Sequence, residues 1–303
     1  MDFTRHSISL KTPDGKATRQ LVFYDYGSPM ASETVICVHG LTRNARDFDL
    51  LAEALVQQGQ RRVLTLSMAG RGESDRFSDP HHYHYGTYVQ DCLAVMDNFH
   101  LRQVDWVGTS MGGIIGMMIA ANYPARIRKL VLNDIGSFLS KDALSRIYHY
   151  VGALPEVFAS RAAAEHYLRE NFAPWGITHE ALWERLFATS FDERPDGTWR
   201  YLCDPAIAVP LRAASDNFAN IEDVSLAAIW NEVKIPTLIL RGEISDILAA
   251  DTVSAMCKSH VKAEAATIKG VGHAPALMED SQIQIVVNWL LRDSMMRVAA
   301  AGI

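Results

Sequence analysis

Short apolar runs alternate with longer amphipathic ones along most of the chain. Seven runs are rich in β-branched and apolar residues: Gln20 to Tyr26, Thr34 to Val38, Arg62 to Leu66, Val104 to Gly108, Lys129 to Asn133, Thr237 to Arg241 and Glu264 to Lys269. Several are apolar at consecutive positions, as strands covered on both faces are. Between them, Arg46 to Gln58, Thr87 to His100 and Met111 to Tyr123 repeat their apolar residues at helical spacing. Strand and helix in alternation imply right-handed crossovers. The expected class is therefore α/β, a mostly parallel central sheet flanked by helices.

The alternation stops between Ser137 and about Arg212. Helical patterns at Asp142 to Leu154, Arg161 to Phe172 and His179 to Phe191 are divided by Pro155, Pro174 and Pro195. A structureless loop of that length is rare in a compact domain, so a helical insertion is expected. Residues 1–136 and 213–303 then form the core, with 137–212 inserted. Phe172, Trp175, Trp183 and Phe187 are candidates to line a substrate pocket between insertion and core, although aromatics pack helices together as readily.

A chain of 303 residues, 49% hydrophobic and 21% charged, buries a large core. Its formal charge of -6 is spread along the length, which gives no footprint for nucleic acid or an anionic membrane. The first residues read as a strand and a turn where a signal peptide needs a basic start and an apolar core. The longest small-and-apolar run, Gly112 to Ala121, is about half of the roughly 20 residues of a membrane span. Cys37, Cys92, Cys203 and Cys257 are scattered without zinc-site spacing. His81, His82 and His84 sit close together with no second ligand group in view, so a solvated loop is expected. These features point to the cytoplasm, with no metal, no cofactor and no nucleic acid; pairing as a homodimer stays open.

The candidate chemistry centres on Gly108-Thr109-Ser110-Met111-Gly112, a G-x-S-x-G stretch between a buried strand and a helix. The bare pentapeptide is weak, but its position is informative. A tight turn from strand end into helix exposes a serine hydroxyl, needs small neighbours, and aims the helix's free amides at developing negative charge.

Taken with VICVHGLTRNARDF (Val35 to Phe48), AGRGESD (Ala69 to Asp75), LILRGEISDIL (Leu238 to Leu248) and GVGHAPAL (Gly270 to Leu277), this stretch resembles the α/β-hydrolase superfamily, in its esterase and lipase-like branch with a helical cap. The resemblance covers nearly the whole chain, with Ser67 standing where family members often carry aspartate. It implies Ser110 as nucleophile, His273 as base, and a backbone oxyanion hole from the amides of Leu41 and Met111. The orienting acid is assigned to Asp246 by the chain order serine, acid, histidine, with Asp134 and Glu243 as rivals. His39 is expected to support its loop. The implied substrates are small to medium carboxylic esters or lactones. A carbon-carbon hydrolase, an acyltransferase and a non-catalytic ligand-binding member of the same fold are the alternatives.

Overall fold

The computed structural model describes residues 2–301. Strands β1 (Phe3–Lys11), β2 (Thr18–Tyr26), β3 (Thr34–Val38), β4 (Arg62–Leu66), β5 (Val104–Thr109) and β6 (Ile127–Asn133) come first, with helices α1 (Asp49–Gly59), α2 (Tyr85–Asn98) and α3 (Met111–Asn122) among them. The helical stretch holds α4 (Lys141–Gly152), α5 (Arg161–Phe172), α6 (Glu180–Ala188) and α7 (Ala208–Ala214). Short strands β7 (Phe138–Leu139), β8 (Val157–Phe158), β9 (Phe191–Glu193), β10 (Trp199–Tyr201) and β11 (Val224–Ser225) accompany them. Helix α8 (Ala227–Glu232), β12 (Thr237–Gly242), α9 (Ala250–Ser259), β13 (Ala263–Ile268) and α10 (Asp280–Ala301) follow.

Among the described residues, eight strands form one sheet in the order β1-β2-β4-β3-β5-β6-β12-β13. From β4 to β13 every pairing is parallel, while β1 and β2 add antiparallel edge strands. This is the mostly parallel sheet that the alternation of runs predicts.

The strands' period of two divides the core between the two faces. Ile36, Leu64, Trp106 and Leu130 join the apolar cluster that includes Ile115 and Met117 of α3. Val35, Val63, Val107 and Val131 join the opposite cluster, with Leu51 of α1 and Val286 and Leu290 of α10. Both faces are covered, which is why β3 and β4 are buried at every position. Truncating one of these leucines to alanine costs about 2–5 kcal/mol. No helix among the described residues is long and apolar enough to cross a membrane.

The chain leaves the sheet after β6 and regains it at β12. Sequence pattern ends the insertion at 212, but β7 pairs with β11, Leu139 opposite Val224 and Phe138 opposite Ser225. Outgoing and returning segments therefore meet beyond residue 212. Pairings of β8, β9 and β10 build a second small sheet inside the insertion.

Candidate active site

Ser110 stands between β5 and α3 with φ 50° and ψ -110°, a strained left-handed conformation for a side-chain-bearing residue. The turn holds because its neighbours have no Cβ. A Cβ on Gly108 would lie 2.2 Å from the Gly112 carbonyl oxygen, and one on Gly112 would lie 2.0 Å from that of Val38. The Ser110 amide donates to the Asn133 carbonyl of β6 at 2.9 Å, and its own carbonyl accepts from Gly113 at 2.9 Å. So fixed, the hydroxyl is 3.0 Å from Nε2 of His273.

His273 lies on the loop between β13 and α10. Two contacts from the insertion pin this loop: the Gly272 amide donates to the Pro174 carbonyl at 2.7 Å, and the Ala276 amide to that of Trp175 at 3.2 Å. From the sheet side, Asn133 Nδ2 donates to the Pro275 carbonyl at 2.9 Å. The imidazole Nδ1 is 2.8 Å from Oδ2 of Asp134, one residue past the end of β6.

The acid beside His273 is Asp134, which corrects the assignment to Asp246. Asp134 is wholly buried and takes φ 57°, which turns its carboxylate across the strand ends. Its Oδ1 accepts from the Gly242 amide at 2.8 Å and its Oδ2 from the Ser245 hydroxyl at 2.5 Å. The loop after β12 thus supplies donors that hold the acid, and does not supply the acid. Asp246, on that loop, has a half-exposed side chain paired with Arg146 of α4. Its Oδ1 is 3.0 Å from Arg146 Nη2, an exposed ion pair between this loop and the insertion. Glu243 accepts from the Gly270 amide at 2.9 Å and braces the approach to His273.

Across from Ser110 runs the loop after β3. Gly40 packs against Ser110, with a Cβ position 3.8 Å from the serine Cβ. His39 is wholly buried; its Nδ1 donates to the Gly40 carbonyl at 2.7 Å and its Nε2 accepts from the Met68 amide at 3.0 Å. Burial lowers its pKa to about 3, so the ring is neutral and its nitrogens are committed to backbone. Arg71, also wholly buried, grips the same loop: Nε donates to the Leu41 carbonyl at 2.9 Å and Nη1 to the Tyr88 hydroxyl at 2.8 Å. Its Nη2 is 3.7 Å from the Met111 sulfur. One guanidinium therefore touches both residues whose amides the sequence nominates for an oxyanion. Ser67 accepts from the Ala45 amide at 3.2 Å, a support for the loop that follows.

The aromatic candidates divide into two pairs. Phe172 and Trp175 pack together at 4.6 Å over the buried Arg43 guanidinium, beside the loops that carry His39 and His273. Phe187 packs on Phe191 and Trp199, and Trp183 carries Arg169 on its face; both fill or coat the insertion. Sequence reading overlooked Ser245, Arg71 and the tyrosines under the insertion. Arg71 and Ser245 carried a signal, their places in AGRGESD and LILRGEISDIL, and the tyrosines carried none.

His84 caps α2 by accepting from the Thr87 amide, and His81 bonds to Asp79. Among the described residues no group of three or more His, Cys, Asp or Glu side chains could hold a metal ion.

Comparison with known proteins agrees with this architecture. A family model described as alpha/beta hydrolase fold matches residues 33–279. The chain is 34% identical over 269 residues to the 3-hydroxybutyrate-oligomer hydrolase of Cupriavidus necator, covering 88% of this chain and 91% of that protein. It is 24% identical over 269 residues to the 2-(acetamidomethylene)succinate hydrolase of Mesorhizobium japonicum, covering 88% and 89%. A solved alpha/beta hydrolase from Novosphingobium aromaticivorans superposes with a TM-score of 0.82 at 33% identity, covering 95% of this chain and 98% of that one.

Proposed function

Because the chain belongs to the alpha/beta hydrolase fold family, we propose that it is a serine-dependent ester hydrolase that works through an acyl-enzyme on Ser110. Its preferred substrates are esters of short hydroxy acids. The observation that carries the chemistry is the unbroken relay from Ser110 Oγ to His273 Nε2 at 3.0 Å and from His273 Nδ1 to Asp134 Oδ2 at 2.8 Å.

A serine hydroxyl attacks a carbonyl only when a base takes its proton as the bond forms. His273 Nε2 accepts that proton while Nδ1–H donates to Asp134, whose charge stabilises the imidazolium. The Leu41 and Met111 amides receive the oxyanion of the tetrahedral intermediate. His273 then passes its proton to the leaving alcohol. Water, deprotonated by the same nitrogen, releases the acid and restores the serine. The helical insertion acts as a cap over the acyl chain, tied to the His273 loop through Pro174 and Trp175. Preference for hydroxy-acid esters is supported by the likeness to the 3-hydroxybutyrate-oligomer hydrolase along nearly the full length of both chains.

Intact mass after treatment with a fluorophosphonate tests the chemistry. One adduct on the native protein, absent from Ser110→Ala, is expected; a folded native protein that takes no adduct would exclude an activated serine.

A further inference from the structure

Beneath the insertion, next to the oxyanion loop, lies a group of hydroxyls that the hydrolytic relay does not use. Thr42 follows Leu41 directly, and its Oγ1 is 3.0 Å from the hydroxyl of Tyr150 on α4. The Thr42 carbonyl accepts from the Tyr201 hydroxyl of β10 at 3.0 Å, which closes the insertion onto this loop. Tyr167 of α5 packs edge-on to Tyr201 at 5.8 Å, and its hydroxyl oxygen is buried with no close hydrogen-bond partner among the described residues, only a looser contact with Tyr150. Burial raises both the Tyr150 and Tyr167 phenols above their ordinary pKa, and the two hydroxyls also share a hydrogen bond, so both stay protonated.

Counting protons shows what this group lacks. Thr42, Tyr150 and Tyr167 bring three O–H donors, joined in a row by the Thr42–Tyr150 hydrogen bond and a looser one between Tyr150 and Tyr167. If the row runs from Tyr167 through Tyr150 to Thr42, the threonine proton has no acceptor; if it runs the other way, the Tyr167 proton has none. Either way one proton at an end of the row is left over. Unmet buried donors are costly, and an acceptor oxygen from a ligand removes that cost.

The charges close by are already spoken for. Arg43 is bound by Asp47 at 2.6 Å and by Ser190 at 2.9 Å, and Arg71 spends its donors on backbone and Tyr88. The group therefore offers neutral donors and no free cation, which suits a hydroxyl or ester oxygen better than a carboxylate.

We propose that Thr42, Tyr150 and Tyr167 form a donor subsite that holds an oxygen carried on the acyl chain of the substrate, and so selects oxygenated acyl groups over plain hydrocarbon ones. The inference rests on the reading of the protein as an ester hydrolase and names the specificity of that site. In an enzyme built to bond a substrate oxygen, the analogue without that oxygen loses because it leaves buried donors unpaired.

The test compares ethyl 3-hydroxybutyrate with ethyl butyrate as the ratio of their kcat/KM values, in the native protein, Tyr167→Phe and Tyr150→Phe. The ratio should fall about tenfold in each variant, the worth of one good hydrogen bond. Ethyl 3-methoxybutyrate, which accepts but cannot donate, should keep much of the preference. A ratio that stays within about twofold in folded Tyr167→Phe overturns the subsite, and means that bound water satisfies these hydroxyls. A second arm needs no turnover: calorimetric titration of Ser110→Ala with the 3-hydroxybutyrate dimer. Binding that weakens about tenfold on adding Tyr167→Phe supports the subsite even if the native protein cleaves no ester, an outcome that would sink only the hydrolase reading. No binding, or binding indifferent to Tyr167→Phe, overturns the subsite.

Discussion

Two loops bring a histidine to the carboxyl ends of the parallel strands, and they are wired in opposite ways. His39, after β3, has no exposed surface, and both of its ring nitrogens meet backbone groups. His273, after β13, keeps 14% of its side-chain surface, and both nitrogens meet side chains. One of those partners can give up a proton and the other carries the compensating charge. An imidazole becomes a support or a base according to what its two nitrogens touch, and residue type does not decide it.

The comparison breaks most visibly at His273. His273→Ala should lower ester hydrolysis by three or more orders of magnitude while thermal unfolding barely moves, and Asp134→Asn should cost roughly ten-thousandfold by stabilising the wrong tautomer. If Asp134→Asn keeps native rates, the orienting role passes to another group.

At His39 the effect should appear in stability. His39→Gln leaves the Gly40 carbonyl or the Met68 amide without its partner, at about 1–3 kcal/mol by denaturant unfolding. pH sharpens the contrast. The folded-state pKa of His39 is depressed to about 3, against about 6.5 in the unfolded chain, so the unfolded state binds more protons in between. Its contribution is complete above about pH 6.5 and is lost as pH falls toward 3, with a slope of up to about 1.4 kcal/mol per unit. His39→Gln should flatten that dependence; an unchanged slope would mean that other groups set it.

Smaller still is Ser245→Ala, which removes one of the donors that hold Asp134 and should lower kcat about tenfold with little change in KM. Least of all, Asp246→Asn should leave activity within about twofold, since it breaks only an exposed ion pair. A loss there comparable to that of Asp134→Asn would reinstate Asp246 as the acid.

Much of this was legible in the sequence because periodicity reports burial. Six of the seven apolar runs lie within strands of the main sheet and the seventh overruns β13 by Lys269 alone, and Ser110 and the following helix fall where the turn chemistry puts them. The acid was not legible. Asp134 and Asp246 both follow Ser110 and precede His273, each just beyond a core strand, so chain order fits either. What separates them is the left-handed backbone at Asp134 and the donors from Gly242 and Ser245, neither of which leaves a periodic trace. The strands of the insertion were missed for a related reason. Runs of two or three residues, such as Phe191–Glu193 and Trp199–Tyr201, are too short for alternation to register. Tyr150, Tyr167 and Tyr201 come from three separate elements of the insertion and meet only in space.

The pairing of β7 with β11 makes the insertion a detachable module. Because its first and last strands are hydrogen-bonded neighbours, the sheet meets the insertion as it would meet a tight hairpin, whatever length of chain lies between. The entropy of closing such a loop grows only with the logarithm of its length. Residues can be gained, lost or exchanged beyond that two-stranded clasp with little strain on β6 and β12, and the strand ends that hold Asp134, Ser110 and His273 stay as they are.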